Sequence, residues 1–194
     1  MIYPIVAYGD PVLKKMAEEI DEDFENLDQF IQDMYETMEA AQGVGLAAPQ
    51  IGKSIRLFVV DGTPFHEDED LEDEEREVLK TFRKVFINPI ILEEKGEEWD
   101  FEEGCLSIPG IREDVSRHDE LTIEYYDENW ELKEEVYSGI PARIIQHEYD
   151  HVEGILFTDK LGALKKRMLK KRLTNISKGI VDVNYRMKFP ALKK

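Results

Sequence analysis

Leu27, Phe30, Ile31, Met34, Met38 and Ala41 recur at three- and four-residue spacing, which predicts an amphipathic helix with one stripe on the core, stopped at Gly43. IRLFVV (55–60) is a short apolar run and predicts a buried strand. VFINPIIL (85–92) has strand character interrupted at Pro89. LTIEYYD (121–127) and ELKEEVYS (131–138) flank a turn at Glu128, Asn129 and Trp130, the signature of an antiparallel hairpin. Asp10-Pro11 predicts a cap and first residue of a short helix. Ser138-Gly139-Ile140-Pro141 opens a helix that runs through ARIIQHEYDHVEG to Gly154, and a last helix covers roughly 160–172. Helices come first, then strands, then helices, with no repeat and no linker. One α+β domain over 1–194 is expected, with mostly antiparallel β-sheet packed around a central helix and further helices toward both ends.

Composition narrows the class. With 42% hydrophobic residues in 194, the chain can bury a core without staples. It has no apolar run near the ~20 residues of a membrane span and no signal peptide at its start, so no membrane association is expected. Its single cysteine, Cys105, excludes an internal disulfide and suits a reducing cytoplasm.

The net charge of -18 excludes a uniformly basic nucleic-acid binder, and no DNA partner is expected. The charge is unevenly spread, however. Residues 160–194 hold twelve Lys or Arg against one acid, Asp182, which makes that tail +11 and leaves -29 for residues 1–159. The basic C-terminal helix and tail (about 160–194) has two readings, a solvated helix face paired with acids elsewhere or a patch that approaches phosphate, including RNA. Within an acidic loop at about 61–80, nine acids fall between Glu67 and Glu77, and a solvated, mobile loop is expected there.

The chemistry concentrates on the late helix. His147-Glu148-Tyr149-Asp150-His151 is an HExxH pattern, which puts both imidazoles on one helix face one turn apart, able to share an ion. Glu148 projects near that ion and could take a proton from a water on it. Catalytic metal sites generally have three protein ligands, so a third is needed. His66 and His118 lie in strongly acidic surroundings and read as surface residues. Cys105, in EEGCLSIPG beside a glycine, is the better third ligand, and thiolate plus two imidazoles suits zinc or ferrous iron. GVGLAAPQIG (43–52) lacks the Lys-Ser/Thr end of a phosphate loop. It reads either as a tight turn into the next strand or as an exposed backbone edge beside the site, with Gln50 offering an amide donor to a developing oxyanion.

GVGLAAPQIG, EGCLSIP and QHEYDHVEG, in that order, resemble the motifs of the peptide deformylases, and DPVLKKMAEEI and VFINPIIL extend the resemblance over most of residues 1–165. The resemblance implies an antiparallel sheet around the HExxH helix. It implies a bacterial enzyme that removes the formyl group from the N-terminal formylmethionine of new proteins, releasing formate. The implied metal ligands are Cys105, His147 and His151, around Fe2+, which Zn2+ or Ni2+ can replace. Glu148 becomes the general base and then the proton donor to the leaving amine. Gln50 and the backbone N–H of Leu106 hold the oxyanion, backbone groups at Val44 and Gly45 pair with the substrate strand, and an apolar pocket takes the methionine side chain. The expected partners are N-formylmethionyl nascent peptides and, through the basic C-terminal segment, the ribosome.

The chain departs from the family pattern in a longer acidic stretch before VFINP and in Val152 where Leu is usual. Arg143, one turn before His147, is expected either on substrate or, with better support, in an ion pair with a local acid. Arg112 is expected in a surface salt bridge or, more weakly, on substrate. An HExxH metallopeptidase is the first rival reading, but it would take its third ligand downstream, where this chain has no strong candidate. A non-enzymatic binding protein would have no use for the combination of Glu148, Gln50 and Cys105.

Overall fold

The computed structural model describes residues 1–190; Lys193 and Lys194, counted above in the basic tail, lie outside the described residues. Among the described residues four helices, α1 (Leu27–Ala40), α2 (Asp73–Leu79), α3 (Gly139–Val152) and α4 (Ala163–Ser177), accompany seven strands. Strands β2 (Gly45–Ala47), β3 (Leu57–Asp61), β4 (Arg83–Cys105), β5 (Ile108–Tyr126) and β6 (Leu132–Ser138) form one antiparallel sheet in the order β2-β3-β4-β5-β6. A two-stranded parallel pair joins β1 (Ile5–Val6) to β7 (Met187–Lys188).

The sheet is covered on both faces near β3, which explains why Leu57 to Val60 are all apolar rather than alternating. Leu57 and Val59 face α1, where Phe30, Ile31, Met34 and Met38 are buried as the stripe predicted. Phe58 and Val60 face α3 and pack with Ile140, Ile144, Ile145 and Val152. Helix α3 therefore packs on one face of the antiparallel sheet and α1 on the other, and an α+β fold is confirmed. The small Val152 is fully buried there. A third cluster seats α4 through Leu169, Leu173 and Ile176 against Leu13, Ile108, Val115 and Phe157.

The ends of the elements differ in detail from the expectation. Gln42, not Gly43, takes the left-handed conformation after α1 (φ 56°). The N–H groups of Gln42 and Gly43 then close on the carbonyls of Glu39 and Met38, both at 2.9 Å, a Schellman cap. Asp10 caps a single 3-10 turn (Pro11–Lys14), with its side chain accepting from the Val12 N–H. The interruption at Pro89 is a register shift between Ile87 and Ile90, where Asn88 has φ 48° and both ends of its amide bond Ile20. The last helix runs on to Ser177.

Two segments were not anticipated. β4 and β5 extend as one long hairpin through the acidic residues 93–120, turning at Leu106 and Ser107. The acidic run, expected as a mobile loop, instead holds α2 and a 3-10 turn (Thr63–Glu67). Phe65, Leu71 and Leu79 anchor it in the α3 core, and the Glu75 carboxylate accepts the Ile140 N–H at 2.6 Å, so the run supplies the α3 N-terminus with its cap.

Candidate active site

Three structural elements meet at one end of the sheet. Cys105 is the last residue of β4, at the two-residue turn into β5, and His147 and His151 stand one turn apart on α3. One ligand atom from each of the three lies within 4.8 Å of the others, with Cys105 Sγ 3.3 Å from His151 Nε2. Ligands of a tetrahedral ion held at ordinary Zn–S and Zn–N lengths are ~3.5 Å apart, so the set fits a small divalent cation. The donor chemistry of His151 fits as well: burial holds its pKa well below its usual value, which keeps a neutral imidazole available as a ligand. His66 and His118 sit elsewhere, half-exposed on the carbonyls of Thr63 and Gly96.

His147 is aimed by a carboxylate that the sequence reading missed. Its Nδ1 donates to Glu103 Oε2 at 2.8 Å, which turns Nε2 toward the ligand cluster. The same carboxylate accepts Arg117 Nε at 2.6 Å, Arg117 Nη2 at 2.9 Å and Arg143 Nη1 at 3.1 Å, and Arg117 Nη1 reaches Asp150 at 2.7 Å. All are buried. Burial works against the Glu103 charge, but Arg117 and His147 win and hold its pKa well below the carboxylate range. Arg143 is thus in the ion pair that was favoured for it, further fixed by the carbonyls of Val115 and Trp99 and stacked 4.4 Å from the Trp99 ring. A sequence signal for Glu103 did exist: two positions before Cys105 on a strand is the same face.

Glu148 is 4% exposed and its Oε2 has no hydrogen-bond partner among the described residues. Burial pushes its pKa up to about 7, with Glu103 adding to the rise and His147 opposing it. The space it occupies exists because residue 45 is glycine. A Cβ there would overlap Glu148 Oε1 and lie 2.6 Å from its Cδ and 2.7 Å from its Cγ. Gln50 is 1% exposed, and its orientation is settled by its partners: the side-chain oxygen accepts the Ala47 N–H at 2.8 Å, so the NH2 group points to Cys105 Sγ and Ser107 Oγ, both at 3.5 Å.

A cleft of about 700 Å³ opens over this group. Val44, Gly45, Gln50, Leu106, His147 and Glu148 line it, so the predicted site residues other than Cys105 and His151 share its wall with Cys105 itself, and only His151 lies behind. Strand β2 is an edge of the sheet, which leaves one side of its backbone unpaired by any strand. The apolar part of the cleft comes from Phe65, Phe101, Ile111 and Ile144. Arg112 stands at its rim in the expected salt bridge, 2.7 Å from Glu102.

The arrangement brings three ligand atoms able to hold a cation, a buried carboxylate and an amide donor together beside an open strand edge. Residues 2–167 match the family model described as polypeptide deformylase. The peptide deformylase of Christiangramia forsetii is 61% identical over 194 residues, covering 100% of this chain and 99% of the relative. That of Flavobacterium psychrophilum is 58% identical and covers 100% of both chains. Among solved structures, the Legionella pneumophila peptide deformylase is 37% identical with a TM-score of 0.76, over 93% of this chain and 98% of that one. The Thermotoga maritima enzyme is 38% identical with a TM-score of 0.72, over 84% and 99%.

Proposed function

The chain belongs to the polypeptide deformylase family, and on that premise we propose a role for each residue in its removal of the N-formyl group from nascent peptides. The enzyme is metal-dependent, as its family is, and in this reading the ion is Fe2+, with Zn2+ or Ni2+ able to replace it, held by Cys105, His147 and His151. When bound, the cation would polarise the formyl carbonyl and acidify a water enough for attack near neutral pH.

The residues of the chain do the rest. The substrate strand lies along Val44 and Gly45, adding to the free edge of β2. Its methionine side chain enters the apolar part of the cleft between Phe101 and Ile144. The Gln50 NH2 group and the Leu106 N–H face the formyl oxygen as it gains negative charge. Glu148 accepts the proton of the attacking water and passes it to the nitrogen of methionine as the carbon–nitrogen bond breaks, so that formate and a free amine leave. Burial raises the Glu148 carboxyl above the usual carboxylate range, the direction that suits a group which must both take and give a proton near neutral pH. Glu103 keeps His147 in the tautomer that leaves Nε2 for the ion.

The observation that carries this reading is the convergence of Cys105, His147 and His151 beside the buried Glu148 carboxylate. The experiment compares formyl-Met-Ala with peptides cut at internal bonds. Release of formate without internal cleavage supports it, and internal cleavage without formate supports a metallopeptidase instead.

A contact between the basic C-terminal segment and ribosomal RNA in the cytoplasm belongs to the same proposal. Its support is that the Arg167, Lys170 and Lys171 side chains on α4 have no ion pair among the described residues, whereas Lys165 is held by Glu113 at 2.9 Å. Binding to ribosomes should fall steeply with salt, and affinity that is flat between low and physiological salt would reject it.

A further inference from the structure

The family match ends at residue 167, yet a segment beyond it returns to the cleft. Asp182, Val183, Asn184 and Tyr185 line the same cavity as Gly45, Gln50 and Glu148. They are held there from two sides. β7 lies parallel to β1, with the Ile5 N–H on the Arg186 carbonyl and the Ala7 N–H on the Lys188 carbonyl, both at 2.9 Å, and Met187 packs into the core. The Tyr185 hydroxyl donates to the Leu106 carbonyl at 2.8 Å, tying the segment to the residue after Cys105. The chain alternates here, with Val183 and Tyr185 half-buried and Asp182 and Asn184 exposed.

We propose that Asp182–Tyr185 forms a wall of the substrate cleft and that Asp182 gives the enzyme a preference for a basic residue downstream of the formylmethionine. The inference rests on the deformylase reading and adds a specificity determinant to it. The other charges lining the cleft are already matched: Glu103 by Arg117, Arg143 and His147, and Arg112 by Glu102. Glu148 is buried. Asp182 has no ion pair among the described residues and is the single acid of the basic tail. The formyl group removes the positive charge from the substrate's own amine, so the first charge a substrate can offer this carboxylate is on a side chain further along. An exposed ion pair of this kind favours its partner by about two- to fivefold.

The test measures kcat/KM on formyl-Met-Ala and on formyl-Met-Ala peptides carrying Lys or Glu at the third or fourth position. Wild type, Asp182→Asn and Asp182→Lys are compared. The Lys-to-Glu ratio should be about two to five in the wild type, close to one in Asp182→Asn and inverted in Asp182→Lys, and it should fade at ~1 M salt, where the Debye length is about 3 Å. Position 182 is exposed, so the exchanges leave the core untouched. Ratios that are the same in all three proteins at both positions would overturn the proposal while leaving the deformylase reading in place. Failure of the wild type on formyl-Met-Ala itself would overturn that reading first.

Discussion

Replacing Glu103 with Gln removes one charge from a buried cluster and changes nothing in shape, which makes it a clean test of how the site is held. In the native protein two carboxylate oxygens accept four N–H groups, from Arg117 twice, Arg143 and His147. An amide keeps one acceptor oxygen. Whichever way it turns, its NH2 faces two donors, either Arg117 Nη2 with His147 Nδ1 or Arg117 Nε with Arg143 Nη1. Arg117 then keeps Asp150 as its buried partner, while Arg143 keeps only the carbonyls of Val115 and Trp99. Breaking a buried ion pair in this way costs ~3–5 kcal/mol. For a domain of this size each kcal/mol lowers Tm by about 2–4 °C, so a fall of about 6–20 °C is expected in thermal unfolding. In the first orientation His147 loses the acceptor that fixes its tautomer, and in the second it keeps only a neutral one, so metal affinity should drop by about 10- to 100-fold in chelator competition. A variant that unfolds within a degree of the wild type and binds metal equally well would refute the view that Glu103 organises the site.

Gly45→Ala should lower kcat by at least about tenfold with little loss of fold, because the added Cβ displaces the carboxylate of Glu148, the proposed acid-base group; kcat equal to wild type would show that the carboxylate can move aside without cost. Glu75→Ala should reduce stability by about 1 kcal/mol in urea, the value of a helix cap, although it lies in a run that is otherwise solvated; an unchanged midpoint would mean that the contact to Ile140 is incidental. The iron form should lose activity on standing in air and keep it under anaerobic handling, since a ferrous ion on a thiolate is open to oxidation; equal activity after both treatments would count against iron.

Much of this was readable before any coordinates. The α1 stripe and the α3 pattern are strong because each obeys one helical period, and the site residues follow from three short motifs. The strand at 57–61 was legible because burial on both faces makes its first four residues, Leu57 to Val60, all apolar. The β4–β5 arm was not, because residues 93–98 are exposed and rich in Glu, so their pairing with β5 leaves no apolar alternation to see. Glu103 was hidden for the same reason, as one more acid among acids, until burial set it apart. The acidic run misled in the opposite sense: Phe65, Leu71 and Leu79 are few, but all three reach the core, which is enough to order a short helix. Residues 181–188 carry no local signal at all, since what fixes them is a strand pairing with residues 5–6 at the other end of the chain.

The central claim is that one buried carboxylate beside a Cys-His-His metal site carries the proton in deformylation. Anaerobic purification of wild type and Glu148→Gln, with metal content and formyl-Met-Ala turnover measured on the same samples, tests it most directly. The account predicts equal metal content and turnover lower by about 10²- to 10⁴-fold in the variant. Full turnover by Glu148→Gln at the same metal content would contradict it.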